Sequence, residues 1–199
     1  MAKSTLNLAK LFEKTPLLRS QDLETAGLKR IAISRYVKAG RLKRLKRGLY
    51  CLPDYRSNEH GDIAIIAKQM PEALVCLLTA LRYHELTTQA PSEVWIAIAR
   101  TSRAPRLDFP SMKVVKFGGA ALSYGATTKE IEGVPVRITA VEKTIADCFK
   151  FRNTVGLDVA IEALKEAKRR RLIDQNELWA CAKVDRVTNI MRPYLEALA

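Results

Sequence analysis

The chain has 199 residues, 48% of them hydrophobic, so it is long enough to fold around one large core or two small ones. Its 34 Lys and Arg against 21 Asp and Glu give a formal net charge of +13, which favours a polyanionic partner or simply maintains solubility. Residues 1–60 hold 14 basic against 5 acidic side chains, a net charge of +9. We therefore expect the N-terminal third to bind the polyanion.

The cysteines and apolar runs exclude several classes of protein. The four cysteines are scattered without a C-x-x-C pair, so the sequence predicts neither a metal site nor a disulfide framework, and no cofactor. The N-terminus lacks the apolar region of an export signal. The longest apolar run, Ala73–Leu81, is about half of the roughly 18 residues that a membrane span needs. We expect a soluble cytoplasmic protein with buried free thiols and no membrane partner.

Three short helices are predicted at the N-terminus. The first covers about residues 5–14, where apolar residues recur at helical spacing. The second begins after Ser20, a good N-cap, and ends at Gly27. The third covers Arg30–Ala39 and ends at the next glycine.

A hairpin follows the third helix. Residues 42–45 and 49–52 are predicted strands around the turn Lys46-Arg47-Gly48, where glycine supplies the positive φ. Leu42 and Leu45 cannot share a face by strict alternation, so the register stays open. Three helices and a hairpin are the order of a winged helix-turn-helix, which we place in residues 1–55.

The third helix divides into two faces. Ile33, Tyr36, Val37 and Gly40 fall on the side expected to pack on the first two helices. The opposite stripe consists of Arg30, Ser34, Lys38 and Arg41, flanked by Ile31 and Arg35.

A helix in the major groove needs arginine for guanine edges or phosphates, a small residue for close approach, and an apolar side chain for a thymine methyl. We predict that Arg30, Ser34 and Arg35 face the groove of double-stranded DNA. The predicted phosphate contacts are Lys29, Lys38, Arg41, Lys43, Arg44, Lys46 and Arg47.

The rest of the chain alternates helical and strand-like patterns. Polar residues 54–61 read as a linker. Helices are predicted before Pro71 and over 77–84, strands over 93–99, 112–117 and 134–138, and further helices within 156–198. Thr139–Glu142 fits a capping box that starts another helix. Residues 62–199 are thus predicted to form a mixed α/β C-terminal domain, and the whole chain is α+β.

Several segments resemble one known family. Residues 27–42 (GLKRIAISRYVKAGRL) and 45–50 (LKRGLY) look like the winged-helix domain of the AbiEi antitoxins, the transcriptional regulators of type IV abortive-infection toxin–antitoxin pairs. Residues 78–87 (LTALRYHELT) and 141–147 (VEKTIAD) are similar to the family's S-A-L-x-x-H-G-L and E-[RK]-T-[LI]-x-D. Two departures are Glu85, where the family often has glycine, and Thr79 in a small-residue position.

The resemblance implies two activities. The N-terminal domain would bind inverted repeats in the protein's own promoter, and the C-terminal domain would counteract a nucleotidyltransferase-like toxin in phage defence, by direct contact or otherwise. The downstream motifs supply the candidate partner residues Leu81, His84, Glu142, Lys143 and Asp147.

Each of these partner candidates also has a structural interpretation. His84 would be a packed or capping residue, Glu142 a helix cap, and Lys143 a solvated side chain. Asp147 would be partly buried beside an arginine.

The sequence contains no recognisable motif for enzyme catalysis. A phosphate-binding G-x-x-x-x-G-K-[ST], an H-E-x-x-H zinc helix and a G-x-S-x-G elbow are all missing, so we expect a protein without catalytic activity. An alternative function is a winged-helix regulator whose second domain senses a small molecule or an unrelated protein.

Overall fold

The computed structural model describes residues 8–56, 58–104 and 109–198. The chain divides into two compact units, one formed by Met1–Pro71 with Glu130–Val136, the other by Glu72–Lys129 with Arg137–Ala199. The predicted fold class is confirmed, because a winged helix-turn-helix precedes a mixed helical and sheet unit. The predicted domain boundaries, 1–55 and 62–199, stay a prediction.

The first unit contains the three predicted helices and the wing. Its elements in chain order are α1 (Leu8–Leu11), β1 (Leu18–Arg19), α2 (Ser20–Thr25), α3 (Arg30–Lys38), β2 (Lys43–Lys46), β3 (Leu49–Cys51) and α4 (Gly61–Gln69). One hydrophobic cluster of this unit consists of six buried residues, Leu8, Phe12, Leu23, Leu28, Ile33 and Leu42. The three strands form a sheet in the order β1-β3-β2. The sequence did not predict β1, since two residues are too few to show an alternation.

The first two helices differ from their predicted starts. Residues 5–7, where the first was expected to begin, lie outside the described residues, and α1 already ends at Leu11. Ser20 is the first residue of α2, so its prediction as the N-cap is wrong. Arg19 takes that place, and its N–H donates to the Asp22 carboxylate at 2.8 Å. The reason is that β1 extends to Arg19, whose own N–H is satisfied by Asp22 in the first turn of α2.

The wing resolves the register that the sequence left open. Arg44 pairs with Tyr50 and Lys46 with Leu49, so Leu45 is an extra residue in β2. Such an irregularity lets Leu42 stay buried before the strand while Leu45 is half-buried. Gly48 has φ +80° and forms the turn, as predicted.

The predicted linker is held within the first unit. Glu132 belongs to the same unit, and its carboxylate accepts the Tyr55 hydroxyl at 2.5 Å and the Asn58 N–H at 2.8 Å. The segment is polar, as expected, and these two polar groups are hydrogen-bonded within the fold.

The second unit is built on a mixed sheet. Its strands are β4 (Leu74–Val75), β5 (Val94–Ala99), β6 (Met112–Phe117), β7 (Ala126–Ile131) and β8 (Val134–Thr139), in the order β6-β5-β4-β8-β7. β4 runs antiparallel to β5 and parallel to β8, and β5 is parallel to β6. The predicted strands are confirmed as β5, β6 and β8. The tip of the β7–β8 pair, Glu130–Val136, is counted with the first unit.

The helices of the second unit surround one buried helix. They are α5 (Leu77–Tyr83), α6 (Val141–Lys150), α7 (Arg152–Val155), α8 (Leu157–Arg169), α9 (Gln175–Asp185) and α10 (Thr188–Ala197), with a 3-10 turn at Gly119–Leu122. α6 contacts α5, α8 and α9, and its residues from Lys143 to Phe149 are all buried.

The predicted capping box at the start of α6 is wrong. Ala140 is the N-cap, because Thr139 still belongs to β8 and its hydroxyl lies 2.7 Å from that of Thr144. The Glu142 carboxylate instead accepts the backbone N–H of Asp174 at 2.9 Å, just before α9. Glu142 therefore links the first turn of α6 to the start of α9.

The cysteine prediction is confirmed, since all four thiols are free and buried. Burial raises the pKa of Cys76 and of Cys148 well above the ordinary value, and that of Cys181 to about 12. In the described ranges, no group of three or more His, Cys, Asp or Glu could hold a metal ion. No helix in these ranges is long and apolar enough to cross a membrane.

Candidate nucleic-acid interface

Helix α3 presents one face to the core and the other to solvent. Ile33 is 2% exposed, and Tyr36 and Val37 are half-buried. The opposite side is exposed along the length of the helix: Arg30, Ile31, Ser34, Arg35 and Lys38. The predicted division of this helix into a packing face and a polar face is thereby confirmed, except that Gly40, expected on the packing face, is exposed and follows the end of α3.

Both ends of this helix are fixed by backbone hydrogen bonds. Before it, the N–H of Leu28 reaches back to the carbonyl of Leu23 at 2.9 Å, which closes α2 and buries Leu28. After it, the N–H of Arg41 donates to the carbonyl of Tyr36 at 2.9 Å. The Arg41 guanidinium also lies 4.9 Å from the centre of the Tyr36 ring. A rigidly held helix can present its exposed side chains at fixed positions.

The wing adds basic side chains to the same unit. Lys43, Arg44 and Arg47 are exposed, and Lys46 is half-buried. The Nε of Arg44 donates to the carbonyl of Lys46 at 3.3 Å, which orients this guanidinium along the strand.

Arginines of α3 and of the wing line one concave surface. This basic notch is formed by Ser20, Arg30, Ile33, Arg44, Arg47, Gly48 and Tyr50. Among the residues that the structure describes, its lining holds three guanidinium groups and no carboxylate. Guanidinium groups bind phosphate oxygens through paired hydrogen bonds, so the basic notch has the chemistry to hold a nucleic-acid backbone.

One acid near this surface was missed in the sequence. Glu24 Oε1 lies 2.5 Å from the Nε of Arg30, whose side chain is 85% exposed. The hydrogen bond to Glu24 raises the pKa of Arg30 above its ordinary value. The six-residue separation crosses the turn between α2 and α3, so helical spacing gives no signal for this pair.

The ten predicted DNA-binding residues all lie in the first unit. All are exposed except Lys46, and Lys29 is the N-cap of α3. The ten residues that the sequence pattern grouped as DNA-binding therefore lie in one unit, nearly all of them exposed on its surface.

The candidate partner residues of the second unit are less accessible. Leu81 lies in the core, and His84 is a packed side chain whose Nε2 is 2.7 Å from the carbonyl oxygen of Thr139. Lys143 and Asp147 are fully buried. The expected solvation of Lys143 is thus wrong, as is the expected arginine partner of Asp147. Since solvent does not reach Leu81, Lys143 or Asp147, we do not retain them as direct contacts to a partner.

The buried charges form a network with a second aspartate. The Nζ of Lys143 binds Asp147 Oδ1 and lies 3.0 Å from Asp185 Oδ2, and Lys150 Nζ lies 3.1 Å from Asp185 Oδ1. Burial acts to lower the pKa of Lys143, but the two carboxylates outweigh it and the pKa is raised. The network therefore holds Lys143 in its charged form.

Comparisons with known proteins agree with this architecture. Residues 8–53 match the family model described as "Transcriptional regulator, AbiEi antitoxin". The fold is similar to the crystal structure of the RV2827C protein from Mycobacterium tuberculosis, with a TM-score of 0.60 and 14% identity over 88% of this chain and 69% of that chain. At this identity the likeness concerns the fold alone. No curated protein matches the chain. The segment that forms the winged helix is therefore similar to that of the AbiEi antitoxin transcriptional regulators, which confirms the resemblance noted for residues 27–42 and 45–50.

Proposed function

We propose that this protein is a sequence-specific DNA-binding autorepressor and the antitoxin of a type IV toxin–antitoxin pair. It binds inverted repeats in its own promoter and counteracts a nucleotidyltransferase-like toxin. The observation that carries the proposal is the exposed basic face of α3 beside a basic wing, within the segment that matches the AbiEi antitoxin regulators.

The two parts of the surface have different roles in this proposal. Helix α3 enters the major groove, where Arg30, Ser34 and Arg35 reach base edges. The wing and the ends of α3 bind phosphates through Lys29, Lys38, Arg41, Lys43, Arg44, Lys46 and Arg47. Base contacts determine the sequence, and phosphate contacts fix the position of the protein.

The charge distribution predicts a strong dependence on salt. If about six phosphates are neutralised, the logarithm of the binding constant falls with the logarithm of salt at a slope near −5. Gel-shift titrations of the protein on its own upstream DNA, at several salt concentrations, measure this slope. Salt-insensitive binding, or equal affinity for random DNA, contradicts the proposal.

Two variants separate phosphate contacts from base contacts. The double variant Arg44→Ala/Arg47→Ala should lose affinity for all sequences alike and reduce the slope by about 2. Arg35→Ala should in addition reduce the preference for upstream DNA over random DNA. The matched control is Lys165→Ala/Lys183→Ala, which removes the same charge from exposed positions of the second unit and should leave the slope unchanged.

The antitoxin activity needs a test of its own. Co-expression with an adjacent nucleotidyltransferase-like gene should restore growth that the gene alone prevents. We expect Arg44→Ala/Arg47→Ala to restore growth as well, because the proposal assigns neutralisation to the C-terminal domain. Failure of the unmodified protein to restore growth contradicts the antitoxin function and leaves the DNA-binding function standing.

A further inference from the structure

Ile31 is an exposed apolar residue on the basic face of α3. Its side chain is 69% exposed. The other exposed large hydrophobic residues of the described ranges, Phe109 and Leu172, lie in the second unit. Single exposed apolar residues are common on protein surfaces, so exposure alone does not assign a role to Ile31.

The position of Ile31 follows from helix geometry. With 3.6 residues per turn, Ile31 and Lys38 are separated by nearly two turns and lie on the same line along α3. Arg30 and Arg35 fall on either side of this line, and Ser34 is one turn further along. All of these side chains are exposed. Ile31 therefore lies near the middle of the exposed face. The sequence pattern had placed it at the flank of the polar stripe.

The chemistry of this position is restrictive. An aliphatic side chain forms no hydrogen bond with a phosphate or with the polar atoms of a base. In the major groove it matches the C5-methyl group of thymine. The short side chain of Ser34 allows the helix to approach the bases closely at this point, and the first turn of a recognition helix is the part that contacts base edges.

We propose that Ile31 is a specificity-determining residue that packs on the C5-methyl group of a thymine in the bound DNA. This inference rests on the proposed DNA-binding function. It assigns to the recognition helix an apolar base contact beside its polar ones.

Deoxyuridine provides a direct test, because it differs from thymidine only in lacking that methyl group. The thymines of the protected upstream sequence are replaced one at a time, and the dissociation constant is measured for each duplex. For the unmodified protein we expect about fourfold weaker binding at one thymine per half-site, the factor for one buried methyl group. For Ile31→Ala the same replacement should have no effect.

Two further variants serve as controls. Ile31→Val keeps a branched side chain and should keep the sensitivity to deoxyuridine. Lys38→Ala should weaken binding to every duplex equally and also remain sensitive. Circular dichroism of each variant verifies that the helices are intact.

The outcomes distinguish this inference from the proposed function. If the protein prefers its upstream DNA but Ile31→Ala shows the same deoxyuridine effects as the unmodified protein, the inference is overturned and the DNA-binding function stands. If the protein shows no preference over random DNA, both fail.

Discussion

Replacement of Lys143 by methionine tests whether the buried charge network stabilises the second unit. Methionine has a similar length but no charge, so the substitution removes the cation without opening a large cavity. Lys143 is fully buried and binds both Asp147 and Asp185. Asp185 keeps Lys150 at 3.1 Å. Asp147 keeps no cation in the described ranges, and its Oδ2 already lacks a hydrogen-bond partner there.

The stability lost in Lys143→Met follows from this difference between Asp185, which keeps a cation, and Asp147, which does not. Removing one partner of a buried ion pair costs up to about 3–5 kcal/mol. Burial raises the pKa of Asp147 well above its ordinary value, so without Lys143 this carboxyl either stays buried without its cation or takes up a proton. For a chain of this size, the full loss corresponds to a decrease in Tm of about 6–20 °C. Lys150→Met is the matched control, because this lysine contacts the same aspartate but is 34% exposed. A partly exposed pair contributes only about 0–1 kcal/mol.

Urea and thermal unfolding followed by circular dichroism measure both variants. The double variant Lys143→Met/Asp147→Asn should recover most of the loss, because it removes the uncompensated charge together with its partner. Equal stability of Lys143→Met and Lys150→Met would refute the reasoning. So would a double variant whose loss of unfolding free energy exceeds the sum of the losses in its two single variants.

Three further predictions concern single residues. Glu24→Gln should strengthen DNA binding about two- to fivefold, since Arg30 is released from a surface ion pair; an unchanged dissociation constant in the gel shift contradicts this. Burial lowers the pKa of His84, so its contribution to stability is fully present above its ordinary pKa of about 6.5 and is lost as the pH falls through the lower folded value. In urea unfolding from pH 7.5 to 5, the unfolding free energy of the unmodified protein should fall as the pH falls, and that of His84→Gln should fall less. Gly48→Ala should cost about 1–2 kcal/mol at φ +80°, whereas Gly118→Ala, at φ −121°, should change the unfolding free energy by less than about 0.5 kcal/mol; equal losses contradict the prediction.

The winged helix could be predicted because its signals are local. Apolar spacing in α3, the glycine after it and the glycine at the wing turn each act within a few residues. The contact between Glu24 and Arg30 could not be predicted, because it depends on the angle between two helices. The bulge at Leu45 was visible only as a conflict between Leu42 and Leu45, which the pairing of β2 with β3 resolves.

Lys143 shows a second limit of sequence reasoning. Val141, Ile145, Cys148 and Phe149 recur at helical spacing on one face of α6, and Lys143 lies on another side. The tertiary fold then covers that other side as well. Gly125, at φ +65°, packs so closely that a Cβ on it would lie 2.6 Å from the Cβ of Lys143. Amphipathic spacing cannot reveal a helix that is buried all round.

The structure also changes where contacts to the proposed toxin should be sought. In the segment VEKTIAD, Lys143 and Asp147 bind each other, and Thr144 donates to the carbonyl of Ala140 at 2.8 Å. Glu142 accepts the N–H of Asp174. The polar side chains of this motif therefore have partners within the second unit, which accounts for the residue types without an external ligand. A side chain that contacts the proposed toxin directly must be exposed, as that of Glu85 is, whereas its neighbour His84 is half-buried. Mutational scans for lost toxin neutralisation should therefore begin with exposed side chains, because losses at Lys143 or Asp147 report on folding.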